Sequence, residues 1–111
     1  HAFLNSISHN KKFKNEFTNM VFLQLQKEHK NIYYLEKIDF FIEDTRTLVL
    51  AIPFFNTLLN NTIIKKIYST IDELNIQQVY IITAGNNDIL KYKKVEINIL
   101  PFYEWAVQWF I

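Results

Sequence analysis

Asp39 lies inside the apolar run Ile38-Asp39-Phe40-Phe41-Ile42. A carboxylate in such surroundings either holds a cation or is itself held by hydrogen-bond donors, because an unpartnered charge among apolar side chains is too costly to keep. The other side chains with chemical potential are less well grouped. His1, His9 and His29 are scattered, without a second ligand at metal-binding spacing, and read as surface residues. The absence of cysteine removes disulfides, thiolate zinc sites and a cysteine nucleophile together. The one glycine, Gly85, cannot build a G-x-x-x-x-G-K-[S/T] loop, which excludes P-loop binding of ATP by these residues.

The lysines fall into three groups: Lys11, Lys12 and Lys14; Lys65 and Lys66; Lys91, Lys93 and Lys94. If they converged in space they could follow a phosphate backbone. Arg46 is the sole arginine, whereas phosphate and base recognition usually favour the planar guanidinium fork, so the lysines read first as a solvated face. With 12 Lys and Arg against 11 Asp and Glu, the net charge of +1 gives no global field to draw in nucleic acid or anionic lipid. Trp105 and Trp109 are spaced to share one side of a terminal helix. Core packing is the ordinary reading of such a pair, and Trp109 with Phe110, near the chain end, are candidates for a partner contact.

The elements that must position these groups follow from apolar periodicity. Half of the 111 residues are hydrophobic and 16% aromatic, enough to build one core. Residues 1–10 read as a lead-in or tag remnant and 11–111 as a single domain. Phe13, Phe17, Met20, Val21 and Leu25 predict a first helix from Phe13 to about His29. Three strand-like runs follow, at Ile32–Leu35, Ile38–Ile42 and Leu48–Phe55, the last two joined by the turn Glu43-Asp44-Thr45-Arg46. Alternation in the second run puts Ile38, Phe40 and Ile42 on one face and Asp39 with Phe41 on the other. A second helix is predicted from about Leu58 to Leu74, ended by Asn75, with Ile63, Ile64, Ile67, Tyr68, Ile71 and Leu74 as its buried stripe. Val79–Thr83 reads as a buried strand paired in parallel across that helix, Ala84–Asp88 as a turn and Val95–Leu100 as the last strand. Pro101 then opens a terminal helix. No apolar run reaches the roughly 20 residues of a membrane span, and no signal-peptide pattern opens the chain, so a soluble, cytoplasmic domain is expected.

This order of helix, three strands, helix, two strands and helix resembles the core plan of the PD-(D/E)XK nuclease-like superfamily. Thr18-Asn19-Met20-Val21-Phe22-Leu23-Gln24-Leu25, Tyr33-Tyr34, the Asp39 run, Val79–Thr83 and Ile99-Leu100-Pro101-Phe102-Tyr103-Glu104-Trp105 together are similar to the nuclease-like C-terminal domain of a large prokaryotic AAA-type ATPase family. The resemblance implies an α/β, restriction-endonuclease-like three-layer core, with a mixed sheet of about five strands flanked by helices. It also implies that the chain is the C-terminal part of a longer ATPase.

A nuclease of this plan needs carboxylates converging on a divalent cation and a lysine beside them, so that the metal activates water and charge on phosphate is neutralised. By the resemblance, Asp39 occupies the first carboxylate position. The next acid and the lysine would flank one residue on the neighbouring strand, where this chain has Ala51, Ile52 and Pro53. On the first helix it has Thr18 and Gln24 where the related domains often carry Glu. Glu16 offers no replacement, being two residues and therefore about 200° around the helix from Thr18. Glu43 reads as part of a solvated turn. Asp39 is thus a remnant of a metal site, or a structural carboxylate held by backbone N–H groups or by Thr18.

These features point to a non-catalytic accessory domain of an AAA-type ATPase, requiring no metal or other cofactor and contacting a protein partner, its own ATPase domain or a second copy. The alternative is a nucleic-acid-binding module without cleavage, with Lys11, Lys12, Lys14, Lys65 and Lys66 as contacts. A metal-dependent nuclease is the last option. The purified chain should leave single- and double-stranded DNA intact in magnesium or manganese. Cleavage that disappears in Asp39→Ala would refute this, whereas cleavage unaffected by that change would mark a contaminant.

Overall fold

The central strands are apolar on both faces, so the sheet they form has to be covered twice. In the computed structural model, which describes residues 2–56 and 60–108 (side chains of 14–56 and 60–107), helices cover it on both sides. The elements run α1 (Ala2–Glu28), β1 (Ile32–Tyr34), β2 (Phe40–Ile42), β3 (Thr47–Ala51), α2 (Asn61–Leu74), β4 (Gln78–Thr83), β5 (Asp88–Tyr92), β6 (Val95–Pro101) and α3 (Phe102–Gln108). The strands form one mixed open sheet in the order β1-β2-β3-β4-β6-β5. β1, β2 and β3 pair antiparallel, β3 with β4 and β4 with β6 parallel, and β5 with β6 antiparallel.

Alternation along β3 and β4 divides the core into two layers. Leu48, Leu50, Val79 and Ile81 face α2, where they meet Ile64, Ile67 and Ile71. Val49, Ala51 and Ile82 face the other way, toward Phe17, Val21 and Leu25 of α1 and Trp105 of α3. Each large side chain fully buried in these layers contributes about 1.5–3 kcal/mol by leaving water. Asn75 ends α2 in the left-handed conformation, with φ of 53°, and its N–H donates to the Ile71 carbonyl. This is the termination predicted for it, since Asn adopts that conformation at lower cost than most residues.

The sheet has six strands rather than about five. The added strand, β5, occupies residues read from the sequence as a turn and a lysine run. Its hairpin with β6 turns at Lys93, in positive φ at 55°, without the glycine or asparagine that usually marks such a turn. Lys93 Nζ and the Tyr92 hydroxyl both donate to the Asp72 carboxylate, at 2.8 and 2.7 Å, and Tyr92 stacks on Tyr68 with ring centroids 4.2 Å apart. The hydrogen bonds from Lys93 and then Tyr92 hold Asp72 below the ordinary carboxylate range.

Other readings also differ: β2 starts at Phe40 and not Ile38, and β3 runs from Thr47 to Ala51 and not from Leu48 to Phe55. Helix α1 extends back to Ala2, so the stretch read as a lead-in is helical from that residue. Met20, placed on its apolar face, is 47% exposed. Ile38 lies on the α2 side with Phe41, opposite Phe40 and Ile42, because Asp39 has a positive φ of 34° and β2 starts only after it. Pro101 closes β6 opposite Thr83 instead of opening α3. The predicted first residue of the second helix, Leu58, lies outside the described residues, as do Trp109 and Phe110.

Trp105 is fully buried and packs edge-on against Phe102, which in turn meets Phe17 of α1. Trp105→Ala should therefore lower the unfolding free energy by about 3–5 kcal/mol through lost burial and the cavity left behind. Urea unfolding measures this, and a loss below about 1 kcal/mol would mean that α3 is not part of the core.

Candidate functional site

The end of β3 poses a hydrogen-bonding problem. Successive residues of a strand direct their backbone polar groups to opposite neighbours. Ile52 donates to Ile82 of β4 at 2.9 Å, so Ala51 must look to the β2 side. There the ladder has ended: Phe40 pairs with Val49, and before Phe40 the chain leaves the sheet through Asp39. Side chains supply the missing partners. The Ala51 N–H donates to Asp39 Oδ2 at 2.7 Å, and the Ala51 carbonyl accepts from Lys14 Nζ. Lys14 Nζ also reaches Asp39 Oδ2, at 3.3 Å, closing a triangle that joins α1, β2 and β3.

Asp39 is thus held by a backbone N–H, one of the two partner types anticipated for it, but its second partner is Lys14 and not Thr18. Thr18 instead turns its hydroxyl back to the Lys14 carbonyl at 2.8 Å. The signal was present in the sequence, because Lys14 and Thr18 are four residues apart and share one side of α1 with the buried Phe17 and Val21.

Ala51 and Pro53, the positions that the resemblance assigns to the other groups of a nuclease site, carry neither an acid nor a lysine. Ala51 is fully buried and contributes only backbone atoms. Pro53 lies beyond β3, buried, with its carbonyl accepting from Ala84. Glu16 and Glu43 are exposed. Among the described residues no group of three or more His, Cys, Asp or Glu side chains could hold a metal ion. The residues present do not fit the metal that the resemblance implies.

What does converge is lysine. A cleft of about 520 Å³ opens beside the end of β3, lined by Lys14, Lys37, Asp39, Leu50, Ile52, Thr62, Ile63, Lys65 and Lys66. Its size lies within the range of small-ligand sites. Four lysines from α1, the β1–β2 loop and α2 face one carboxylate, which is already engaged by Lys14. The aliphatic side chains give an apolar floor, and the lysine stems can lie along it with their ammonium groups in water. The first turn of α2 contributes Thr62 and Ile63, and neither an acidic residue nor a side-chain cap offsets the positive end of its dipole. A neighbouring hollow of about 240 Å³ shares Lys66 but also carries Glu36 and Glu73, so the positive charge is concentrated in the larger cleft.

Three of the five lysines singled out from the sequence, Lys14, Lys65 and Lys66, therefore line one cleft. The side chains of Lys11 and Lys12 lie outside the described residues. Lys37 was missed, because it sits in a tight loop with φ of 68° and no periodicity points to it. Lys93 is engaged by Asp72. Arg46 lies at the opposite end of β3, donating to the Leu74 carbonyl near the C-terminus of α2.

Compared with known protein families, with curated proteins and with solved structures, the chain matches none. No helix among the described residues is long and apolar enough to cross a membrane.

Asparagine tolerates positive φ at least as well as aspartate and keeps an oxygen for the Ala51 N–H, so Asp39→Asn isolates the charge. With its side chain only 16% exposed, the change should cost about 1–3 kcal/mol in chemical unfolding. A variant as stable as the wild type would show that the carboxylate is not needed to close the end of β3.

Proposed function

We propose that this chain is a non-catalytic, nuclease-like accessory domain that binds nucleic acid through the lysine-lined cleft. The observation that carries this reading is that Lys14, Lys37, Lys65 and Lys66 line one cleft whose only carboxylate among the described residues, that of Asp39, is already paired. Lysines from three elements lining one cleft let a run of phosphates meet several ammonium groups at once. Lysine suits contact with a backbone of repeated phosphates, because it acts as a mobile point charge and needs no fixed fork geometry. The half-buried Ile52 and Ile63 at the cleft favour a single strand, whose unstacked bases can cover aliphatic surface, over a duplex that keeps its bases stacked inside. That no carboxylates converge among the described residues supports binding without cleavage, and the family resemblance supports attachment to an AAA-type ATPase.

A second reading, contact with a protein partner, with the ATPase domain of the same chain or with a second copy, draws on exposed apolar side chains. Met20 and Leu23 of α1 and Tyr33 and Tyr34 of β1 are each about half or more exposed, and β1 is an edge strand.

Fluorescence anisotropy with labelled single-stranded and duplex oligonucleotides of equal length, over a range of salt, separates the two. Single strands should bind more tightly, with affinity falling by a slope of about −0.7 per phosphate contact. The triple change Lys37→Ala/Lys65→Ala/Lys66→Ala should weaken binding at least about tenfold and flatten that slope. Absence of salt-dependent binding, or a triple variant that binds like wild type, would remove the nucleic-acid reading. A concentration-dependent dimer in sedimentation equilibrium would then favour the protein-contact reading.

A further inference from the structure

Lys14 Nζ rests against two oxygens, Asp39 Oδ2 and the carbonyl oxygen of Ala51. Carboxylate and peptide carbonyl oxygens are the hard donors that proteins use for magnesium- and calcium-like cations. We propose that these two oxygens form a cation site and that the Lys14 ammonium is its resident cation, tethered by the chain itself.

The charge balance fits a tethered ammonium better than a metal ion. One carboxylate gives the site a charge of about −1, which one ammonium neutralises. A divalent ion would leave an excess positive charge facing Lys37, Lys65 and Lys66 across the same cleft, with too few protein oxygens to replace its water. The tether is firm because the buried Phe17, Val21 and Leu25 anchor α1 against the sheet, which keeps the local concentration of the ammonium at the two oxygens high. The side chain of Lys14 remains 41% exposed, so the same ammonium stays part of the cleft rim. The positive charge of the cleft is therefore independent of divalent ions, whichever ligand the cleft takes.

Thermal unfolding of the whole chain in millimolar manganese or in chelator tests this without reference to any ligand of the cleft. The wild-type midpoint should be the same in both. Lys14→Glu replaces the tethered cation with a second carboxylate beside Asp39 and the Ala51 carbonyl, and manganese should raise its midpoint by about 4 °C or more. The double variant Lys14→Glu/Asp39→Asn should lose that rise. A wild type raised as much as Lys14→Glu, or a folded Lys14→Glu unmoved by manganese, would overturn the proposal. Folding of Lys14→Glu only in the presence of manganese, seen by circular dichroism, would support it. Should that variant fold in neither condition, Lys14→Ala decides. Methylammonium should raise its midpoint above that in sodium chloride of equal concentration, and adding Asp39→Asn should abolish the rise; a midpoint unmoved by methylammonium overturns the proposal.

Discussion

β3 outruns β2, and the unpaired backbone at its end has to be satisfied. An N–H or carbonyl buried without a partner costs about 1–3 kcal/mol, so the sheet cannot stop at Ala51 unless something replaces the ladder. Asp39 and Lys14 replace it, one oxygen for the N–H and one ammonium for the carbonyl. The replacement demands that the chain before β2 turn away sharply, which accounts for the positive φ at Lys37 and Asp39. It also demands that α1 lie with Lys14 over the end of β3, which its buried Phe17, Val21 and Leu25 enforce. The space that β2 vacates beside β3 is the cleft.

The same division of the sheet into two apolar faces brings the charges together. Helix α2 packs over one face through Ile64, Ile67 and Ile71, which leaves Lys65 and Lys66 exposed at the cleft. Helix α1 packs on the other face and delivers Lys14 from that side, while the loop through Lys37 closes the rim. Open α/β sheets commonly bind ligands beyond the carboxyl ends of their parallel strands, and the end of β3 is such a place. Arg46 and the Asp72–Tyr92–Lys93 group stand apart from it: the arginine secures the C-terminal end of α2, and the group ties that helix to the β5–β6 hairpin.

Much of this was legible from the order of residues, with identifiable exceptions. The hairpin at Glu43–Arg46, the buried Ile64, Ile67 and Ile71 of α2, its end at Asn75 and the parallel crossover from β3 to β4 all follow from periodicity and turn chemistry, whereas Ile63, Tyr68 and Leu74 of the predicted stripe are only half-buried. β5 escaped because its turn uses Lys93 in a conformation that lysine rarely adopts, and because five residues of mixed polarity carry a weak strand signal. Alternation puts Ile38 on the side of Phe40 and Ile42, but it does not run through Asp39, where the backbone takes a positive φ. The apolar run marks Asp39 as a carboxylate in need of a partner, yet that partner on α1 is Lys14, one helical turn before Thr18.

By itself, the sequence determined the class of the protein: α and β elements, two apolar faces, no cysteine, no P-loop, and a carboxylate, Asp39, amid the apolar residues of a strand-like run. These are local properties, set by the spacing of apolar side chains over a few residues. Only the tertiary structure decided that Lys14 pairs with Asp39 and Ala51, and that Lys14, Lys37, Lys65 and Lys66 share one cleft while Lys93 does not. Those contacts join residues up to 37 positions apart. Electrostatic and hydrogen-bond energies depend on distance through space, and periodicity along a chain carries no information about the distance between one element and another.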